Sequence, residues 1–302
     1  MQRAIIILLA LALDLSFGDP PNQLHPVVLM GNWLTKGRHV APHRYRFWFG
    51  AGWVMVGLAL FALPWFKISR SILFLHPFLL KSVFAYRDLR RSVVKIGKAL
   101  TANDLQTARH LVGWHLVSRD TSQLTVEEIA GATIESLAEN ITDSVTAPLM
   151  AYAVGGLPAA WAYRFINTAD TMWGYRTDEF EQLGKFPARL DDVINWLPAR
   201  LTGCLIVAAA WGASEDAHRA ARVMLDQHHR TSSPNAGWTM SAMAGALGIT
   251  LGKCHAYDLV GGTSKPDVMA INRALKVADI CIALIVTILV GLKIIKRGHE
   301  CS

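Results

Sequence analysis

Charge is what this sequence has least of. Only 18% of its 302 residues are Asp, Glu, Lys or Arg, where a soluble domain carries roughly 25%. With 52% hydrophobic residues and a mean hydropathy of +0.28, that scarcity argues against an ordinary soluble surface. Cysteine is scarce too. Cys204, Cys254, Cys281 and Cys301 form no C-x-x-C pair, and Cys204 and Cys281 lie in apolar stretches. That spacing argues against a disulfide framework or a zinc site, and nothing implies an oxidising compartment. Familiar catalytic signatures are absent. Gly252-Lys253 runs into Cys254 with no glycine at the upstream Walker A position, and there is no H-E-x-x-H, G-x-S-x-G or G-x-G-x-x-G. Acidic residues are outnumbered, leaving a formal charge of +7 and a pI near 9.4. Basic loops that set membrane orientation, a surface for anionic lipid and a cleft for phosphate all fit. A nucleic-acid partner is not expected, because Arg and Lys are spread over several loops rather than one stripe.

What is present is a series of apolar stretches. Met1–Phe17 resembles a signal-peptide core, but Gly18-Asp19-Pro20-Pro21 follows in place of a small-residue cleavage site, so it reads as a short, retained membrane segment. Phe47–Phe66 is 20 residues without charge, matched to a hydrocarbon core of about 30 Å. Its Trp48, Trp53 and Trp65 suit interfacial belts. Val145–Ile166 is a further stretch, open to a break at Gly155-Gly156 and Pro158; Val193–Trp211 contains Arg200; Ala278–Ile295 is apolar. Lys293, Lys296 and Arg297 at its end predict a cytoplasmic C-terminus. Between these runs, Leu105–Val117 and Val126–Leu137 have helical apolar spacing, and Thr125 with Glu128 makes a capping box. The fold class expected is all-α: a polytopic membrane protein with about four or five hydrophobic segments, some re-entrant, and helical polar loops. A single domain over 1–302 is expected.

Five polar segments punctuate this pattern. Asp14 and Asp19 flank a turn followed by His25-Pro26, suited to a metal or phosphate or simply to a polar turn at a membrane edge. Glu135, Glu139 and Asp143 recur every four residues, so a helix stacks their like charges on one face. Bound Mg²⁺ would relieve the repulsion; a solvated acidic face is the plainer reading. Asn167 and Asp170 share a helix face that Gly174 would end. Arg176 then follows as a clamp for phosphate or carboxylate, or as half of an exposed ion pair. Arg189, Asp191, Asp192 and Asn195 gather at the mouth of an apolar segment. Adjacent carboxylates point different ways on a helix, so Asp191 and Asp192 need separate partners. Arg200, inside the run, either faces a cavity or snorkels. Ser232-Ser233-Pro234-Asn235-Ala236-Gly237-Trp238 makes a turn with free N–H groups, an anion site or a structural turn.

Together these segments resemble adenosylcobinamide-phosphate synthase of cobalamin biosynthesis, the CbiB/CobD membrane family. The resemblance rests on Gly18-Asp19-Pro20 with His25-Pro26, Glu135–Pro148, Asn167–Thr177, Ala188–Arg200 and Ser233–Gly248, in the family's order. One departure is visible: Thr231-Ser-Ser-Pro-Asn235 stands where the family usually has His-Pro-Ser-Pro-Asn, and Thr239 follows Gly237-Trp238 in place of Pro.

The resemblance implies ATP- and Mg²⁺-dependent amide formation. Adenosylcobyric acid is joined to aminopropanol or its phosphate, the corrinoid being substrate rather than cofactor. It implies a multi-pass protein of the inner membrane, in contact with lipid and with other cobalamin-assembly enzymes. On this reading Glu135, Glu139 and Asp143 bind the metal, and Asp191 or Asp192 accepts the amine proton. Asp19, His25, Asn140, Asn167, Asp170, Arg176, Arg189, Arg200 and Asn235 bind ATP or substrate. If every apolar stretch crossed the bilayer, the acidic and Asn235 segments would lie opposite the Arg176 and Asp191 segments. One stretch is therefore expected to be re-entrant, or the site recessed among helices. A corrinoid carrier and a membrane sensor of the same fold are the rivals. Against the first stand the few spans and the lack of inverted halves; against the second, intact polar motifs.

Overall fold

A computed structural model describes residues 2–19, 25–68, 73–117, 120–253 and 256–298. Pro20, Pro21, Cys254 and Cys301 lie outside the described residues, as do the side chains of Lys293, Lys296 and Arg297 that carry the orientation argument.

The chain forms α1 (Gln2–Phe17), α2 (Pro26–Val40), α3 (Arg46–Ala62), α4 (Pro64–Ile68) and α5 (His76–Lys81). Next come α6 (Tyr86–Thr101), α7 (Leu105–His115), α8 (Val126–Ile141), α9 (Ala147–Gly155), α10 (Leu157–Trp173) and α11 (Lys185–Ile194). Last are α12 (Trp196–Gly212), α13 (Ala217–Gln227), α14 (Ala236–Leu247), the antiparallel strands β1 (Thr250–Lys253) and β2 (Tyr257–Val260), and α15 (Val268–Gly298). Helix starts follow capping chemistry. Thr125 and Glu128 bond reciprocally at the head of α8, and Asp104 and Asp216 accept N–H bonds at the heads of α7 and α13.

Two compact units are threaded by four crossings of the chain. The first holds residues 1–85, 143–195 and 288–302; the second holds 86–142 and 196–287.

In the first unit α10 is the hub, packed by α2, α3, α9 and α11. Glycine lets the helices close up: a side chain at Gly57 of α3 would run into the Phe165 ring of α10, the small-residue contact common between membrane helices. Trp33 of α2 and Trp53 of α3 stack at 4.5 Å. Each indole N–H donates to the other's carbonyl, at 3.3 and 3.1 Å. Trp53 thus serves helix packing, and Trp65 lies against Trp161 at 4.7 Å; of the three tryptophans expected at interfaces, Trp48 is exposed. The apolar stretch 145–166 is broken, at Gly156, whose φ of +74° ends α9. Arg3 of α1 seals that end by donating to the carbonyls of Ala153 (2.9 Å) and Val154 (2.8 Å).

In the second unit α14 is central, against α8, α12 and α13. Gly245 lets it touch the Arg219–Ala220 backbone of α13. Arg219 caps its C-terminus by donating to the Gly245 carbonyl at 2.7 Å, beside Gly248 in the left-handed region. The opening turns of α15 are pinned by charge: Arg273 to Glu215 (2.8 Å), Lys276 to the Ala213 carbonyl (2.9 Å), and Asp279 to Arg90 (3.0 Å) and Tyr86.

Arg46–Lys67 and Val268–Leu292 are long and apolar enough to cross a membrane. The helices α11 and α12, bent by 48°, make a third crossing if they act as one span. Along α3 the exposed side chains are apolar (Trp48, Met55, Val56, Leu60), a surface suited to lipid rather than water. The chain is all-α apart from its short hairpin.

Candidate functional site

Within the first unit, three clusters bring predicted residues together. At the first, Asp14 is wholly buried in the last turn of α1, and the Lys81 ammonium at the end of α5 lies 3.5 Å from it. The same ammonium bonds Asp19. His25 heads α2, where its Nδ1 accepts the Val27 N–H at 3.2 Å. In the neutral ring that leaves the proton on Nε2, which faces Asp19 Oδ2 at 3.7 Å. Burial alone would raise the Asp19 carboxyl, but His25 and Lys81 outweigh it and hold it down to about 2. Lys81 thus sits as an internal cation between the two aspartates that suggested a metal or phosphate.

The second cluster joins α10 to α11. Asp191 is buried and takes the Asn195 amide at 2.8 Å and the Asn167 amide at 3.4 Å. Tyr163 donates its hydroxyl to Asn195 Oδ1 at 3.0 Å. Buried polar groups in so apolar a setting need such mutual satisfaction. Asp192 turns away from this network, as adjacent residues on a helix must, and Arg176 is the charge that acts on it.

There the third cluster begins. A cavity of about 370 Å³ is lined by Arg176, Lys185, Arg189 and Asp192, with Tyr175 and Phe180 as its aromatic wall. Its volume falls in the range for small-ligand sites, about 300–1,000 Å³. Gly174 ends α10 as expected: its N–H donates to the Asp170 carbonyl at 2.6 Å, and the Asp170 carboxylate lies where a side chain at 174 would go. A second cavity of the same unit, about 480 Å³, lies by Arg3, His76 and Tyr152.

In the second unit, Glu135 is buried and Glu139 half-buried, one turn apart on α8. The Asn140 amide bonds the Ser136 carbonyl of its own helix at 2.9 Å. The regular four-residue ladder stops before Asp143, because α8 ends at Ile141 and Thr142–Thr146 wind as a π-turn. Among the described residues no three His, Cys, Asp or Glu side chains gather as a metal-holding group. Two carboxylates remain, and Mg²⁺ is commonly bound through one or two plus substrate phosphates; the donor set fits that smaller requirement.

Arg200 neither snorkels freely nor stands alone. Its guanidinium lies 4.2 Å from the Trp196 ring centre and 4.9 Å from that of Trp238. It donates to the Trp196 carbonyl at 2.7 Å and to Asn235 at 3.4 Å. His228 stacks on Trp238 at 4.0 Å. Burial, then His229 and Arg200, push the His228 ring below its ordinary value. The Ser233 hydroxyl accepts the N–H groups of Asn235 and Ala236 at 3.2 and 3.3 Å, so two of the turn's free donors are satisfied internally.

Sequence reading missed Lys81, Tyr163, Arg164 and Lys185. Only Arg164 carried a signal, a charge within an apolar stretch.

An all-α fold with apolar helices on its surface and ionised groups buried among them defines a membrane protein built around polar interior sites. A family described as "CobD/Cbib protein" matches residues 7–287, and the chain belongs to this CobD/CbiB family. It is 38% identical to the probable cobalamin biosynthesis protein CobD of Methanothermobacter thermautotrophicus, over 98% of this chain and 99% of that one. It is 40% identical to cobalamin biosynthesis protein CobD of Dehalococcoides mccartyi, over 86% and 87%. It is 36% identical to cobalamin biosynthesis protein CbiB of Salmonella arizonae, over 90% and 89%. No solved structure matches it.

Proposed function

We propose that this protein forms an amide bond in cobalamin biosynthesis, as a multi-pass enzyme of the inner membrane. It joins the free propionate carboxylate of adenosylcobyric acid to the amine of aminopropanol or aminopropanol phosphate, with ATP and Mg²⁺. The names of its relatives support the pathway. The observation that carries the chemistry is the cavity with three cations and two carboxylates on its wall, Arg176, Lys185, Arg189, Glu181 and Asp192.

A carboxylate is a poor electrophile and must be activated. Its oxygen attacks the γ-phosphorus of ATP, ADP leaves, and an acyl phosphate results. The amine nitrogen then attacks the acyl carbon, inorganic phosphate leaves, and the surplus proton goes to a base. Positioning and charge stabilisation dominate such phosphoryl transfers. Arg176 and Arg189 are the forked donors for phosphate oxygens, and Lys185 adds a point charge. Asp192, on the cavity wall, accepts the amine proton. Asp191, with its oxygens bonded to Asn167 and Asn195, positions α11 against α10. Glu135 and Glu139 would hold Mg²⁺, which when bound supplies neutralising charge for phosphates. Arg200 and Asn235 bind substrate in the second unit.

The test is product formation by purified protein in detergent, given adenosylcobyric acid, aminopropanol phosphate, ATP and Mg²⁺. An amide product that vanishes without ATP is expected. Corrinoid binding by folded protein with no product would replace the enzyme reading with a carrier.

A further inference from the structure

Among the described residues, Arg164 forms no ion pair. It lies on α10, inside the apolar stretch 145–166, in the same unit as the α10–α11 network. Its Nε is closed off from solvent and has no hydrogen-bond partner. Its one side-chain hydrogen bond among the described residues is Nη1 to Asn167 Oδ1 at 3.5 Å, at the limit where such a bond contributes anything. A guanidinium offers five donors, so most of its capacity is unspent.

The neighbours explain why no described protein group fills that capacity. Asn167 stands between Arg164 and the nearest buried carboxylate of the network: its amide nitrogen donates to Asp191 and its oxygen faces Arg164. Asp191 has its second oxygen on Asn195. Asp19 and Asp143 act on Arg164 only through space, and Asp19 already bonds Lys81. A part-buried guanidinium whose Nε is closed off from water, with no ion pair among the described residues, costs stability unless something else supplies the partner.

We propose that Arg164 binds an oxyanion of the substrates, a phosphate or carboxylate group that docks beside Asn167. The inference deepens the proposed activity and relies on it only for the choice of probes. A guanidinium suits the planar or tetrahedral array of either group, and the low dielectric around it strengthens the bond.

The experiment measures binding, not turnover. Wild-type and Arg164→Met proteins in detergent are titrated separately with adenosylcobyric acid, aminopropanol phosphate and ADP. Affinity for at least one ligand, but not for all, is expected to fall by about 30-fold or more, the scale for removing one partner of a buried charge pair. Loss confined to the corrinoid assigns a carboxylate; loss confined to aminopropanol phosphate or to ADP assigns that phosphate. Ligand-free Arg164→Met is expected to melt no lower than wild type, because it removes a charge with no ion pair among the described residues. Arg164→Lys, which keeps the charge without the fork, serves if the Met variant does not fold. Unchanged affinities for all three ligands, or equal weakening of all three, overturn the proposal. Failure of the enzyme reading would show separately, as absence of amide product from wild-type protein.

Discussion

The two units differ in where their ion pairs lie. The first holds the buried one: Asp14 and Lys81 have side chains 1% and 8% exposed, and Asp191 is held by amides; it also has an exposed pair, Arg38 with Glu179. In the second, the pairs stay in part at the surface, although Glu135 is buried: Arg90 and Asp279 are 45% and 40% exposed, and Arg273 is 41% exposed against Glu215. Half-exposed pairs pin helix ends at small cost. Buried ones are expensive to assemble and expensive to break, and such groups among membrane helices commonly mark functional pathways. The contrast points to the first unit as the place where reaction chemistry shaped the sequence.

That comparison breaks most visibly at Lys81. Lys81→Met removes the cation that two aspartates share and is expected to cost about 3–5 kcal/mol, whereas Arg90→Met in the second unit should cost about 1 kcal/mol or less. Chemical unfolding of both variants in detergent reads the difference, and equal losses would erase the distinction. Asp192→Asn tests whether this carboxylate, rather than Glu181 on the same cavity wall, moves a proton: kcat for amide formation should fall by about 100-fold or more, with melting unchanged. Within α3, Gly57→Leu meets the Phe165 ring and should lose about 1–3 kcal/mol. A Cβ at Gly52 meets nothing within 4 Å, so Gly52→Ala should be neutral by the same unfolding assay. The smallest effect is electrostatic. Since the Asp19 carboxyl is held down to about 2, its contribution is fully present above the unfolded value of about 3.9 and fades as pH falls through 2. Asp19→Asn should flatten the stability profile in that window and leave the profile near neutrality parallel to wild type.

Local signals were legible in the sequence. The Thr125–Glu128 box, the end of α10 at Gly174, the long apolar helix around 47–66 and the divergence of Asp191 from Asp192 all follow from spacing alone. Pairings distant in sequence were not. Lys81 meets Asp19 across 62 residues, and Tyr163 meets Asn195 across 32; no periodicity encodes either. The regular spacing of Glu135, Glu139 and Asp143 was interrupted for a different reason. A regular helix was assumed, and a π-turn, which depends on packing around it, ended the regularity at Ile141. Arg176 and Arg189 share a cavity as their chemistry suggested, but the lysine beside them, Lys185, looked like any other loop cation.

The interleaving of the two units has a consequence for synthesis. A chain that has reached residue 142 contains every helix through α8, yet it lacks Tyr163, Arg164, Asn167 and Asp191, so the first unit is still without its hub. The second unit waits for α12–α14 and the opening turns of α15, and the first unit waits in turn for residues 288–302. Neither unit can close during the time the other is being made. Helices α1 and α5, with their aspartates and Lys81, must therefore be kept from wrong neighbours until α10 arrives, a demand that falls on the insertion machinery and on the lipid rather than on the sequence already made.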